Sequence, residues 1–135
     1  MSDLEMSDPE YWVREWPLKA KADARAMEMV LGGDDPLTGI ACFHAQQCAE
    51  KSLKAFLTAH ERVVEKTHDL EDLVEMCAEV DPDYLDFEIV CAELSGYAVE
   101  VRYPGDEAPS VEKAWEMTTT ADRIYHFTRE VLDLD

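Results

Sequence analysis

Apolar residues recur along this chain at helical spacing, strand-like alternation is nearly absent, and glycines and prolines fall where helices would join. The most informative stretch runs through Phe43–Phe56. At about 100° of rotation per residue, Cys42, Ala45, Ala49, Leu53 and Phe56 share one face, and Gln47, Glu50, Lys51 and Lys54 lie roughly opposite. The apolar face rests on small residues, so a second helix can approach it closely. The polar row has two readings, an ordinary solvated surface or the floor of a site.

The same pattern sets the other elements. Asp8-Pro9-Glu10 has the order of an N-cap, a proline at the first helical position and an acidic first turn. A first helix follows from Tyr11 to about Leu31, with Trp12, Trp16, Ala20, Met27 and Leu31 as apolar positions. Pro17 predicts either a kink or a short turn before a helix that starts there. Gly32-Gly33 ends it, and Asp34 or Asp35 before Pro36 opens a second helix reaching His60, about 36 Å long. Thr67 is the expected cap of a third, shorter helix with Leu70, Leu73, Val74 and Cys77 facing inward. Pro82 opens a fourth, carrying Leu85, Ile89, Ala92, Leu94 and Tyr97 to about Arg102, where Tyr103-Pro104-Gly105 stops it. Ser110 caps a fifth, with Val111, Ala114, Trp115, Thr118, Ala121, Ile124 and Tyr125 available for packing. Short connections predict an all-α, up-and-down four-helix bundle with an additional short helix, one domain over residues 1–135, with residues 1–7 a candidate disordered segment.

Composition changes this picture in two ways. With 47% hydrophobic residues, the chain has enough apolar surface for a core, yet no apolar run long enough for a membrane span. Lys and Arg number 12 against 31 Asp and Glu, a net charge of -19, which opposes binding to a nucleic-acid backbone and suits a basic partner. The same surplus also serves simple solubility. Direct DNA binding and membrane association are therefore not expected. Four cysteines without scaffold-like spacing, and an acidic N-terminus without a signal's apolar core, point to a reduced, cytoplasmic setting.

Motifs for specific chemistry are few. No P-loop, dinucleotide fingerprint or nucleophile elbow occurs, and Gly32-Gly33 is a helix stop. His44 and Cys48 are four residues apart, but no second pair completes a zinc site; buried cysteines and a surface histidine are expected, with His126 packed or at the surface. Glu50 and Lys54, as a solvated i,i+4 pair, would contribute only about 0.2–0.5 kcal/mol. Asp69 suits a helix N-terminus and Arg102 a C-terminus through the helix dipole alone. Arg102 also has the geometry to clamp a phosphate, and Tyr103 to stack on a base.

Three segments, in order, resemble the HEPN domain (higher eukaryotes and prokaryotes nucleotide-binding). Gln47-Cys48-Ala49-Glu50-Lys51-Ser52-Leu53-Lys54-Ala55 is similar to the family's Q-x-x-E-K-x-x-K-A helix, Thr67-His68-Asp69-Leu70 to its T-H-D-L, and Arg102-Tyr103-Pro104 to its R-Y-P. The resemblance covers essentially the whole chain. It implies a helical bundle, commonly homodimeric, often encoded beside a minimal nucleotidyltransferase that it can bind. It also implies one of two activities: a ribonuclease toxin of a toxin–antitoxin pair, or a non-catalytic nucleotide-binding or adaptor module. The toxins carry an R-x(4–6)-H motif near the end of a late helix, but no histidine follows Arg102 through Pro109. Arg62 and His68 match the spacing, yet lie between the second and third helices. The expected function is therefore the non-catalytic module, with Gln47, Glu50, Lys51, Lys54, His68, Asp69, Arg102 and Tyr103 as nucleotide- or partner-binding candidates. No catalytic or metal-binding residue is assigned. No cofactor is required, although a nucleotide such as ATP or GTP is a candidate ligand. The ribonuclease alternative would use His68 with Arg62 or Arg102.

Overall fold

The structure, a computed structural model, describes residues 8–64, 67, 69–98 and 107–134. Among the described residues, five α-helices follow in order: α1 (Pro9–Leu31), α2 (Thr38–Ala59), α3 (Leu70–Ala78), α4 (Glu88–Leu94) and α5 (Val111–Val131). Two 3₁₀ segments flank α4, Pro82–Phe87 before it and Ser95–Tyr97 after it. The result is an all-α, up-and-down bundle with an additional short helix. From Pro82 to Tyr97 the fourth long helix expected is instead this composite of 3₁₀ and α turns, and its expected end at Arg102 and the Tyr103-Pro104-Gly105 stop lie outside the described residues.

α2 is the central element. It packs along α1 and α5 and also meets α3. Ala41, Cys42, Ala45, Cys48, Ala49, Leu53 and Leu57 are completely buried on it. Small residues at Ala41, Ala45 and Ala49 let the neighbouring helices come close, as the sequence implied. The core is extended by Leu70, Leu73, Val74 and Cys77 of α3, all fully buried.

Local chemistry explains the helix ends. Asp8 caps α1, its carboxylate accepting from the Glu10 amide at 3.0 Å. α1 runs unbroken past Pro17, which has no N–H to offer the Val13 carbonyl; Val13 is exposed, so water can serve that oxygen. α2 starts two residues later than expected, at Thr38, because the Leu37 amide bonds back to the Val30 carbonyl at 3.2 Å and folds the connection onto α1. Asp69, not Thr67, caps α3: its carboxylate accepts from the Glu71 amide at 3.1 Å, while the Thr67 hydroxyl accepts from the Asp69 amide at 3.0 Å. The Leu70 amide, the first of α3, donates to the Ser95 hydroxyl at 2.9 Å, so a distant segment satisfies one of the helix's open donors. Ser110 caps α5 through the Lys113 amide at 3.0 Å, as expected.

The inward face of the α4 region differs from the sequence reading. Leu85 and Ile89 are exposed, Ile89 at 89%, and Tyr84, Phe87, Cys91 and Leu94 are buried. The 3₁₀ turn closes at about three residues per turn, which shifts the phase of the following helix. Aromatic packing fixes that choice. Tyr84 lies 4.6 Å from Phe56 and 4.9 Å from Phe127, ring centre to ring centre, and its hydroxyl meets the Thr128 hydroxyl at 2.8 Å. On α5, Val111 and Trp115 are exposed while Met117 and Thr128 enter the core beside the expected Ala114, Thr118, Ala121, Ile124 and Tyr125.

Cys42, Cys48, Cys77 and Cys91 are free and buried. Burial, with the Asp23 carboxylate adding to it, pushes Cys48 up from 9.0 to about 12. Burial, helped by Glu71, likewise pushes Cys91 to about 12, and burial raises Cys77 as well. Unfolded thiols ionise near their ordinary value while folded ones keep their protons, so above it the native state binds more protons. Stability should therefore hold below about pH 9 and fall progressively as pH rises toward 12, read by thermal melts. A thiol-reactive disulfide reagent should leave all four cysteines untouched in the native protein and label them all in guanidinium.

Candidate functional site

The polar row of α2 divides: Glu50 and Lys54 are buried, while Gln47 and Lys51 are half-buried. Gln46, Glu50 and Lys54 follow one another at one-turn spacing, with 0%, 4% and 6% of their surfaces exposed. The Gln47 amide donates to the Gln46 side-chain oxygen at 2.6 Å, and Gln46 Nε2 donates to Glu50 Oε1 at 3.2 Å. From the other end, Lys54 Nζ donates to Glu50 Oε2 at 3.1 Å. The pair is therefore not the solvated i,i+4 contact of weak energy that one reading of the sequence allowed. α1 supplies the lid over its basic end: Lys54 Nζ sits 5.3 Å from the Trp16 ring centre, and Trp16 stacks on Trp12 at 4.7 Å.

One turn aside, a second ionic group links α1 to α2. Asp23, itself buried, receives Lys51 Nζ on Oδ2 at 2.6 Å and meets His44 Nδ1 with Oδ1 at 2.8 Å. His44 and Lys51 lie two turns apart on α2, so one carboxylate bridges both. An ionised carboxylate only accepts, which places a proton on His44 Nδ1 and leaves Nε2 as the ring's other nitrogen. His44 is thus a half-buried, partnered side chain, not the surface histidine expected from the sequence. Asp23 is absent from the sequence-based candidates. Its signal is its place in the inward stripe of α1 between Ala20 and Met27, where a carboxylate needs a partner.

The remaining candidates do not gather here. Asp69 is exposed and serves as the cap of α3. His68, Arg102 and Tyr103 lie outside the described residues, as do residues 1–7. Arg62, half of the R-x(4–6)-H match, points to Glu79 at the end of α3, with Nη1 3.7 Å from Oε2. His126 is exposed on α5, with Nε2 3.3 Å from Asp122 Oδ1. Among the described residues, no three His, Cys, Asp or Glu side chains gather as a metal site, and no helix is long and apolar enough to cross a membrane.

The buried row makes a direct prediction. Glu50→Ala strands the Lys54 ammonium in a nearly dry site and should cost about 3–5 kcal/mol in denaturant melts. Adding Lys54→Met should recover part of that loss. A cost near that of a surface pair, about 0.2–0.5 kcal/mol, would contradict the buried geometry.

Similarity to known proteins agrees with this architecture. The chain resembles the TT1696 protein of Thermus thermophilus, known from a crystal structure, with 29% identity and a TM-score of 0.70 over 87% of this chain and 96% of that one. No curated protein matches the sequence. The family model of the HEPN domain matches residues 13–131, which takes in α2 to α5 whole and α1 from Val13 onward. With that match spanning most of its length, the chain belongs to the HEPN domain family.

Proposed function

We propose that this HEPN domain is a non-catalytic adaptor module of the cytoplasm, homodimeric, that engages a minimal nucleotidyltransferase as its partner. One observation carries the non-catalytic part: Glu50 and Lys54 of α2 are buried and paired with each other, and the half-buried Lys51 is held by Asp23 of α1. Groups held this way stabilise helix packing and are poorly placed to move protons or meet a phosphate in the open. The ribonuclease reading has less support, since no histidine follows Arg102 through Pro109 and the exposed Arg62 guanidinium lies 3.7 Å from Glu79. The partner-binding part draws on the net charge of -19, which favours a basic protein surface over a nucleic acid.

A nucleotide such as ATP or GTP enters as an accessory ligand. At the α2 row its phosphates would have to draw Lys51 from Asp23 or Lys54 from Glu50, which leaves Arg102 as the other candidate clamp. The decisive experiment is co-expression with a small nucleotidyltransferase encoded beside this gene. A stable complex at micromolar concentration is expected, together with intact RNA after incubation with the isolated domain and no growth arrest on its expression. Absence of the complex would overturn the adaptor reading. RNA cleavage that disappears with His68→Ala would restore the ribonuclease instead.

A further inference from the structure

An open groove of about 390 Å³ lies between the second half of α1 and the outer face of α5. Met27 and Thr118 form its buried floor, and Trp115 stands at its rim with 54% of its surface exposed. Glu28 lines it from the α1 wall and Asp122 from the α5 wall, both exposed residues that carry a carboxylate. His126 lies 3.3 Å from Asp122 and borders the same space.

This combination has a definite chemical preference. An exposed indole face attracts a cation through its quadrupole, and two carboxylates on facing walls add charge and hydrogen-bond acceptors. The arginines and the lysine of α5 are all directed elsewhere, and His126 is its one basic side chain that borders the groove. Arg123 lies over the Phe87 ring, Arg129 over the Tyr125 ring, and Lys113 is bound to Glu93 and Glu116. The groove therefore receives no lysine or arginine from its own α5 wall. Among organic cations, a guanidinium fits best, since its flat face stacks on an indole while its edge pairs with a carboxylate. The overall charge of -19 draws such a group toward the surface and repels anionic ligands.

We propose that the α1/α5 groove anchors an arginine side chain of a basic protein partner, stacked on Trp115 and paired with Asp122 or Glu28. The proposal rests on the adaptor reading and gives it an address. Trp115 is exposed and both lining carboxylates are at the surface, so substitutions there leave the core intact.

The test uses the full chain and a short arginine-rich peptide as the probe, with a citrulline version of equal shape and no charge. Calorimetry should show saturable binding of the arginine peptide alone, weakened by salt. Trp115→Ala should weaken it about tenfold, as expected for loss of a partly desolvated cation–π contact. Asp122→Asn and Glu28→Gln should weaken it more than Asp72→Asn and Glu75→Gln, which remove the same charge from exposed positions on α3. Equal losses from both pairs would reduce the effect to the diffuse field and overturn the groove. So would binding of Trp115→Ala within twofold of the parent, or no binding of the peptide at all. A Trp115→Ala change that only halves the mass in solution would assign the groove to a second copy instead. In each of these failures the adaptor reading still stands or falls on co-purification with the nucleotidyltransferase.

Discussion

Burial of α2 is the constraint on which the rest of this molecule depends. A helix enclosed by α1, α3 and α5 cannot turn every polar side chain to water. Desolvated amide, carboxylate and ammonium groups are costly unless each finds a partner. Gln46, Glu50 and Lys54 meet that demand along one helix, at spacings that need no help from loop conformation. Lys51 and His44 meet it across a helix interface, at Asp23. The two solutions do different work. The first keeps charge from being stranded within α2, and the second fixes the rotation of α2 against α1.

Geometry of this kind also limits chemistry. Side chains whose donors and acceptors already face each other cost free energy to redirect toward a ligand. Among the residues that resemble the family motif, Glu50, Lys51 and Lys54 each have a contact that any ligand would have to compete with. Outside that row, exposed side chains such as Trp115 and Asp122 are not tied to core packing.

Much of the fold was legible because it is written in short-range patterns. Helical periodicity, Asp8-Pro9, Gly32-Gly33 and Ser110 mark helix ends, and the inward stripe of α3 can be read residue by residue. What escaped depends on tertiary context. An i,i+4 Glu50–Lys54 pair has the same sequence whether it is wet or dry, so burial was undecided until α1 and its Trp16 were in place. Asp23 looks like one more carboxylate in an acidic chain. Thr67 and Asp69 are both good caps, and only the backbone chooses between them. The α4 face slipped because aromatic packing around Tyr84 selects a 3₁₀ turn that periodicity alone does not encode.

The hydrogen bond from the Leu70 amide to Ser95 reaches further than its single donor suggests. α3 has only nine residues, too few to hold a helix on propensity alone. Its first turn is completed by a hydroxyl that arrives 25 residues later in the chain. α3 and the turn at Ser95–Tyr97 thus form one cooperative unit: neither can open without exposing an unpaired group on the other. That one bond therefore ties the start of α3 to the turn that ends the α4 region, two segments far apart in the chain.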